Sequence, residues 1–225
     1  MKITFLGHAS LQIEVGGKTV IVDPFISGNE LATQIDITTL KADYILITHA
    51  HQDHILDVEQ IAKNTGATIV SNYEIATYYG AKGFESHPMN HGGSWQFDFG
   101  RVTYTNAIHT SSFPDGTYGG QPGGFIIESV EKTIYIAGDT ALTMDMKLIP
   151  MQFTIDLAVL PIGDNFTMGI NSAVIAADFV QCNRILGVHY DTFGYIKIDH
   201  EFAKLKFKEV NKELILLEVG SNLEV

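Results

Sequence analysis

Four side chains able to bind a metal ion stand within six positions of this 225-residue chain, in the run His49-Ala50-His51-Gln52-Asp53-His54. Imidazole and carboxylate are ordinary donors for zinc and its first-row neighbours. Residues two apart in an extended segment share a face, so His49 and His51 can converge on one ion. Asp53 and His54 lie past the bend and can turn toward a second. A polar strand end accounts for one or two such residues, not for four. Two divalent ions about 3.5–4 Å apart lower the pKa of a shared water and stabilise charge on the group it attacks. Hydrolysis is the chemistry this cluster suits.

The elements around the cluster explain how it is positioned. It follows Tyr44-Ile45-Leu46-Ile47-Thr48, an apolar, β-branched run that reads as a buried strand, and it precedes a helix predicted from Ile55 to about Asn64. The same placement recurs downstream. His109 follows the alternating run 102–108, Asp139 (in Gly138-Asp139-Thr140) follows 133–137, and His189 follows 185–188. Further strands are predicted over 2–6, 11–15, 19–22, 42–48, 94–99, 124–129, 157–160 and 213–219, and helices over 57–64, 73–79, 172–182 and 199–211. Asp199 is the expected N-cap of the last helix, with Phe202, Leu205 and Val210 on its apolar side. Many hairpins with helices outside them predict an α/β fold of two packed sheets flanked by helices. No repeat and no Pro/Gly linker divides the chain, so residues 1–225 are expected to form one domain.

Composition narrows the function classes. An apolar content of 45% suits a globular core, and no stretch approaches the roughly 18 uninterrupted apolar residues of a membrane span. The N-terminus runs straight into a strand pattern without a signal-peptide core. Cys182 is the only cysteine, which forbids an internal disulfide and points to a reducing cytoplasm. A formal charge of −12 argues against nucleic acid as a partner. The expected partner is a small-molecule substrate, with no membrane involved and homo-oligomerisation left open.

The pattern His-x-His-x-Asp-His, followed in order by His109, Asp139 and His189 at strand ends, resembles the metallo-β-lactamase superfamily. That resemblance implies a four-layer αββα sandwich with the metals at one edge of the sheets. It also implies the ligand sets: His49, His51 and His109 for a first ion, Asp53, His54 and His189 for a second, and Asp139 bridging both. Asp53 and Asp139 are then the carboxylates of the catalytic centre. The implied cofactor is a pair of divalent ions, zinc first, with manganese, iron and nickel chemically compatible. Similar families place a Gly-His-Ala/Ser segment near the metals, so His8 either lines the site or serves only its turn. Asp23, in Val22-Asp23-Pro24-Phe25, resembles the aspartate that fixes a ligand histidine's tautomer, and equally fits a turn before proline. His87, His91 and His200 read as surface or structural residues.

A narrower resemblance rests on Gly163-Asp164-Asn165-Phe166-Thr167-Met168-Gly169, His189-Tyr190-Asp191-Thr192-Phe193 and Asp23-Pro24-Phe25. These look like the small metal-dependent hydrolases related to L-ascorbate-6-phosphate lactonase. One departure is Gln121-Pro122-Gly123-Gly124, whose second glycine stands where similar sequences often carry alanine. The implied activity is lactonase-like: a metal-bound hydroxide attacks an ester or lactone carbonyl. Tyr190 and His8 are the candidate proton donors, Tyr190 fitting a packed aromatic equally well. The alternatives are a phosphodiesterase on the same metal pair and a catalytically idle metal-binding protein. The chain has only two arginines, Arg101 and Arg184, and no arginine or lysine within three residues of an implied ligand. That deficit favours an acyl substrate over a phosphoryl one. Residues 111–124, rich in glycine and proline, are expected to form either a mobile lid or rim over the metals or a plain connecting loop.

Overall fold

Alternation of apolar and polar side chains along short strands produces faces that must be covered, and here both faces of two sheets are. The computed structural model describes residues 1–225 and contains two seven-stranded sheets. The first comprises β1 (Lys2–Gly7), β2 (Ser10–Val15), β3 (Lys18–Val22), β4 (Tyr44–Leu46), β5 (Thr68–Asn72) and β6 (Ser86–Met89), with β14 (Asn222–Glu224) on the outer edge beside β1. The second comprises β7 (Ser94–Phe97), β8 (Gly100–Asn106), β9 (Gly123–Glu128), β10 (Thr133–Ile136), β11 (Leu157–Pro161), β12 (Arg184–Val188) and β13 (Glu213–Ile215), neighbours in sequence order. Leu11, Ile13 and Val15 of β2 meet Val102 and Tyr104 of β8 in a core between the sheets. The period of two then sends Tyr135 to the opposite face from Ile134 and Ile136.

Helices cover the outer faces. Ile21, Ile45 and Ile69 pack under α1 (Gln52–Ile55), α2 (Val58–Thr65) and α3 (Tyr73–Ala81). Ile126, Tyr135, Ala158 and Ile185 pack under α4 (Ile170–Phe179), α5 (His200–Glu209) and the 3-10 segment Met144–Met151. The result is the expected four-layer αββα metallo-β-lactamase sandwich.

Strand direction then decides where chemistry can sit. In the first sheet β1, β3 and β4 run the same way, because β1–β2 and β2–β3 are antiparallel and β3–β4 is parallel. In the second, β8, β10 and β12 share a direction for the same reason. The C-terminal ends of these six strands form one rim across both sheets. The sheets are tied together at that rim, where the His189 N–H donates to the His8 carbonyl at 2.9 Å.

Three expectations are corrected. β5, β6 and β14 were not predicted; β6 carries Pro88 and lies at a sheet edge, where a missing N–H is tolerated. In α5, Asp199 does cap the helix by accepting from Phe202 N–H at 3.0 Å. Its apolar side is reversed, however: Phe202, Leu205 and Val210 are exposed, while Ala203 and Phe207, one turn apart, are fully buried against the sheet. The small Ala203 lets the backbone approach where a large residue would hold it off. Third, the legs of the 111–124 loop are braced rather than free. The Ser111 hydroxyl donates to the Gly119 carbonyl at 2.9 Å, Asn72 Nδ2 donates to the carbonyls of Gly119 and Gln121, and the Gly123 N–H donates to the Thr48 carbonyl. Phe113 is buried and stacks on Tyr78 with ring centres 3.8 Å apart. Ser112, the tip 114–118 and Gln121 stay exposed, and the braced legs form a wall beside the cluster.

The reversed helix face gives a direct test. Phe207→Ala is expected to destabilise the protein by about 3–5 kcal/mol, as for other buried aromatics, and Phe202→Ala by roughly 1 kcal/mol or less. Urea unfolding of the two variants checks this; equal losses would restore the sequence-based face.

Candidate metal centre

Each implied site residue except Tyr190 arrives at the rim, most of them just past a strand end. His8 follows β1, Asp23 follows β3, and His189 follows β12 without an intervening residue. His49 lies three residues beyond β4, His109 three beyond β8 and Asp139 three beyond β10. Asp53 and His54 ride on α1, which begins at Gln52 rather than at Ile55 as predicted. His8 (φ 56°), Asp23 (φ 44°) and His189 (φ 57°) hold left-handed backbone, a conformation that costs a non-glycine residue about 1–3 kcal/mol and is concentrated at functional sites. Surrounding contacts enforce it. The Ser10 hydroxyl donates to the Asp23 carbonyl and accepts from the Phe25 N–H, and Asp57 accepts from the N–H groups of Ile26 and Ser27.

The donor atoms fall into overlapping sets. Those of His49, His51 and His109 lie within 4.8 Å of one another, as do those of His8, Asp53, His54 and His189, and those of His49, His54 and Asp139. Asp139 is central to both halves: its Oδ2 lies 3.0 Å from His189 Nε2, 3.4 Å from His54 Nε2, 3.6 Å from His109 Nε2 and 3.9 Å from His49 Nε2.

Counting hydrogens shows which nitrogen of each ring is free to bind. Asp23 Oδ1 accepts from the Thr48 N–H at 2.8 Å, and Oδ2 accepts from the Thr48 hydroxyl at 2.7 Å. His54 Nδ1 lies 2.9 Å from the same Oδ2 and can only donate to it. The Thr48 hydrogen is thus committed, so its oxygen receives the proton of His49 Nδ1 at 3.0 Å. In their neutral forms both rings therefore turn bare Nε2 atoms inward, and His54 Nε2 is buried with no hydrogen-bond partner. His49 Nε2 also faces His51 Nδ1 at 3.0 Å. Inward lone pairs beside two carboxylates fit a pair of divalent cations, the carboxylate behind the histidine being the usual support of such ligands.

Electrostatics agree. Burial first, and the charge of His54 with it, pushes His49, His51 and His109 toward the neutral form that binds metal. Burial also disfavours charge on His8, whose pKa drops to about 4. For His189 burial acts the same way, but the Asp139 carboxylate overcomes it and lifts the ring to about 9. His54 is raised likewise, by Asp139 and Asp23 against burial. Asp139 and Asp53 resist burial and stay ionised, Asp139 through the charges of His189 and His54, Asp53 through the neighbouring rings of His189 and His8. Without metal, protons on His54 and His189 stand where cations would.

Of its two readings Tyr190 follows the packed aromatic: its ring lies in the outer apolar layer with the residues under α4 and α5, and against His200. Burial raises its phenol to about 12. His200 binds Asp191 at 2.6 Å, His91 the Pro122 carbonyl and His87 packs on Trp95, all outside the cluster. Thr48 and Thr192, not predicted as site residues, each stand behind a ring nitrogen. For Thr48 the signal was its position directly before the first histidine.

Comparison with known proteins places these features in a family. Residues 2–189 match the profile of the beta-lactamase superfamily domain. The chain is 69% identical over 226 residues to a metal-dependent hydrolase of Christiangramia forsetii and 68% identical over 225 residues to one of Flavobacterium johnsoniae, covering 100% of both chains in each case. Its fold is similar to that of a metallo hydrolase from the hyperthermophilic archaeon Ignicoccus hospitalis, with a TM-score of 0.90 and 33% identity over 99% of this chain and 97% of that one.

Asp23→Asn removes the anionic acceptor that sets two tautomers while preserving shape. It is expected to weaken metal affinity by about 10–100-fold with the fold intact; chelator competition and circular dichroism measure the two effects. Metal must also displace the proton that Asp139 holds on His189. Apparent affinity should therefore keep rising with pH up to about 9 rather than levelling near an ordinary histidine's pKa of 6.5. Calorimetric titration at several pH values, reading proton release, checks the sign.

Proposed function

Since this chain belongs to the β-lactamase superfamily and is a metal-dependent hydrolase, we propose that it uses a dinuclear centre to open an ester or lactone of a small molecule. The observation that supports this reading is the sharing of Asp139 between two histidine sets. When bound, a divalent pair supplies an activated water and polarises the attacked carbonyl. Zinc suits the imidazole-rich donors first, with manganese, iron and nickel compatible.

The chain's own residues set the stage for that chemistry. Asp23 and Thr48 aim the rings of His54 and His49 inward. Asp53 and Asp139 hold negative charge at the centre. His51 and His109 are only partly buried and open the site to solvent, whereas His49, His54 and His189 are enclosed. The braced wall at 111–124 fixes the approach beside His49 through Thr48 and Ala50. Every charged side chain paired with the cluster is a histidine or an aspartate. Phosphoryl groups are commonly gripped by arginine or lysine, so a carbonyl centre with little formal charge is the better match.

No helix is long and apolar enough to cross a membrane. A free, buried Cys182 fits a reducing cytoplasm as the place of action. The net charge of −12 disfavours nucleic acid as substrate.

Metal-loaded protein is expected to show higher kcat/KM on simple lactones or aryl esters than on bis-aryl phosphodiesters with the same leaving group. Asp139→Ala should abolish turnover and weaken metal retention, and His87→Ala should do neither. A clear preference for the phosphodiester would promote the phosphodiesterase, and absence of turnover on any panel member despite full metal loading would favour the idle metal-binding protein.

A further inference from the structure

Seven residues complete the superfamily pattern, and an eighth donor faces the same point. His8 Nε2 lies 3.1 Å from Asp53 Oδ2, within the set it forms with Asp53, His54 and His189. Donors bound to one zinc at about 2.0–2.2 Å stand roughly 3–4 Å apart, so this nitrogen is within ligand range.

Counting hydrogens shows what His8 presents there. The Thr192 hydroxyl lies 3.3 Å from the Tyr190 carbonyl and 3.0 Å from His8 Nδ1; donating to the carbonyl, its oxygen can receive the Nδ1 proton. A neutral imidazole has one N–H: on Nε2 it donates to Asp53 at 3.1 Å, and on Nδ1 it frees Nε2 to share a cation with that carboxylate. A threonine hydroxyl stands behind Nδ1 in the same way at Thr48 and His49. The ring is also placed deliberately: His8 adopts left-handed backbone, and its carbonyl holds the N–H of His189.

Resting on the dinuclear reading, we propose that His8 Nε2 is an additional ligand of the second ion, beside Asp53, His54 and His189. The second set then has three imidazoles whose side chains are 0–2% exposed, beside the Asp53 carboxylate at 28%.

The test uses full-length protein labelled with nitrogen-15 in histidine and loaded with cadmium-113. The expected result is two bound ions and a scalar coupling between cadmium and His8 Nε2, with the Nδ1 proton retained. His8→Gln, which keeps an N–H able to reach Asp53 but is a poor ligand, is expected to bind the second ion at least 10-fold more weakly while the first is retained. Two bound ions with a protonated, uncoupled His8 Nε2 would overturn the proposal and leave the metallohydrolase reading standing. Uptake of fewer than two ions by the wild-type protein would overturn both.

Discussion

A neutral imidazole has two nitrogens and one hydrogen, and the rest of the site follows from that. For several histidines to aim lone pairs at a shared point, each far nitrogen needs an acceptor for its hydrogen. Those acceptors must themselves be fixed, or the rings rotate and the lone pairs scatter. Asp23 meets the need for two ligands at once, taking the hydrogen of His54 directly and that of His49 through the Thr48 hydroxyl. A buried carboxylate with three donors is itself costly to desolvate unless all of them are in place. The turn holding Asp23 is accordingly tied down by Ser10, and the neighbouring Ile26 and Ser27 by Asp57.

The two sheets solve a related problem. Lone pairs and carboxylates crowded within a few ångströms repel one another, so the chain without metal must be held in this arrangement by packing elsewhere. The inter-sheet core, with residues such as Leu11, Ile13, Tyr104 and Phe125 almost wholly shielded from water, supplies that force. Its position matters as much as its size. Strands of common direction end together, so the side chains just beyond β1, β3, β4, β8, β10 and β12 come to one rim without long excursions. Protons on His54 and His189 relieve part of the repulsion before metal arrives.

How much of this was legible in the sequence depends on the range of the forces involved. Residue type and spacing are local, and β-branched runs before His49, Asp139 and His189 announce strands; the resemblance that these residues carry implied the seven donors and the layered fold. What could not be read is fixed by contacts between distant residues. Asn72 holds carbonyls 47 and 49 positions away, and Tyr104 donates to the carbonyl of Thr48, 56 positions away. These bonds turn a glycine-rich segment into a wall, which composition alone cannot show. The face of α5 was misjudged because large apolar residues were assumed to point inward. Close packing on the sheet instead selected the small Ala203 together with Phe207. Sequence left Tyr190 open between two roles, and contacts decide it: its neighbour His189 faces the rim while the Tyr190 ring packs in the outer layer.

The chain's net acidity and the centre of the proposed dinuclear reading would act on a substrate over different distances. In that reading two divalent ions against the carboxylates of Asp53 and Asp139 would give a local charge of 4 − 2 = +2, in a chain whose formal total is −12. At physiological ionic strength, interactions between exposed charges are largely screened beyond about 8 Å, whereas a partly enclosed metal pair keeps its field at contact range. In the proposed reading a small ester or lactone meets that field over the last few ångströms, where a developing oxyanion is attracted without any arginine or lysine paired with the cluster.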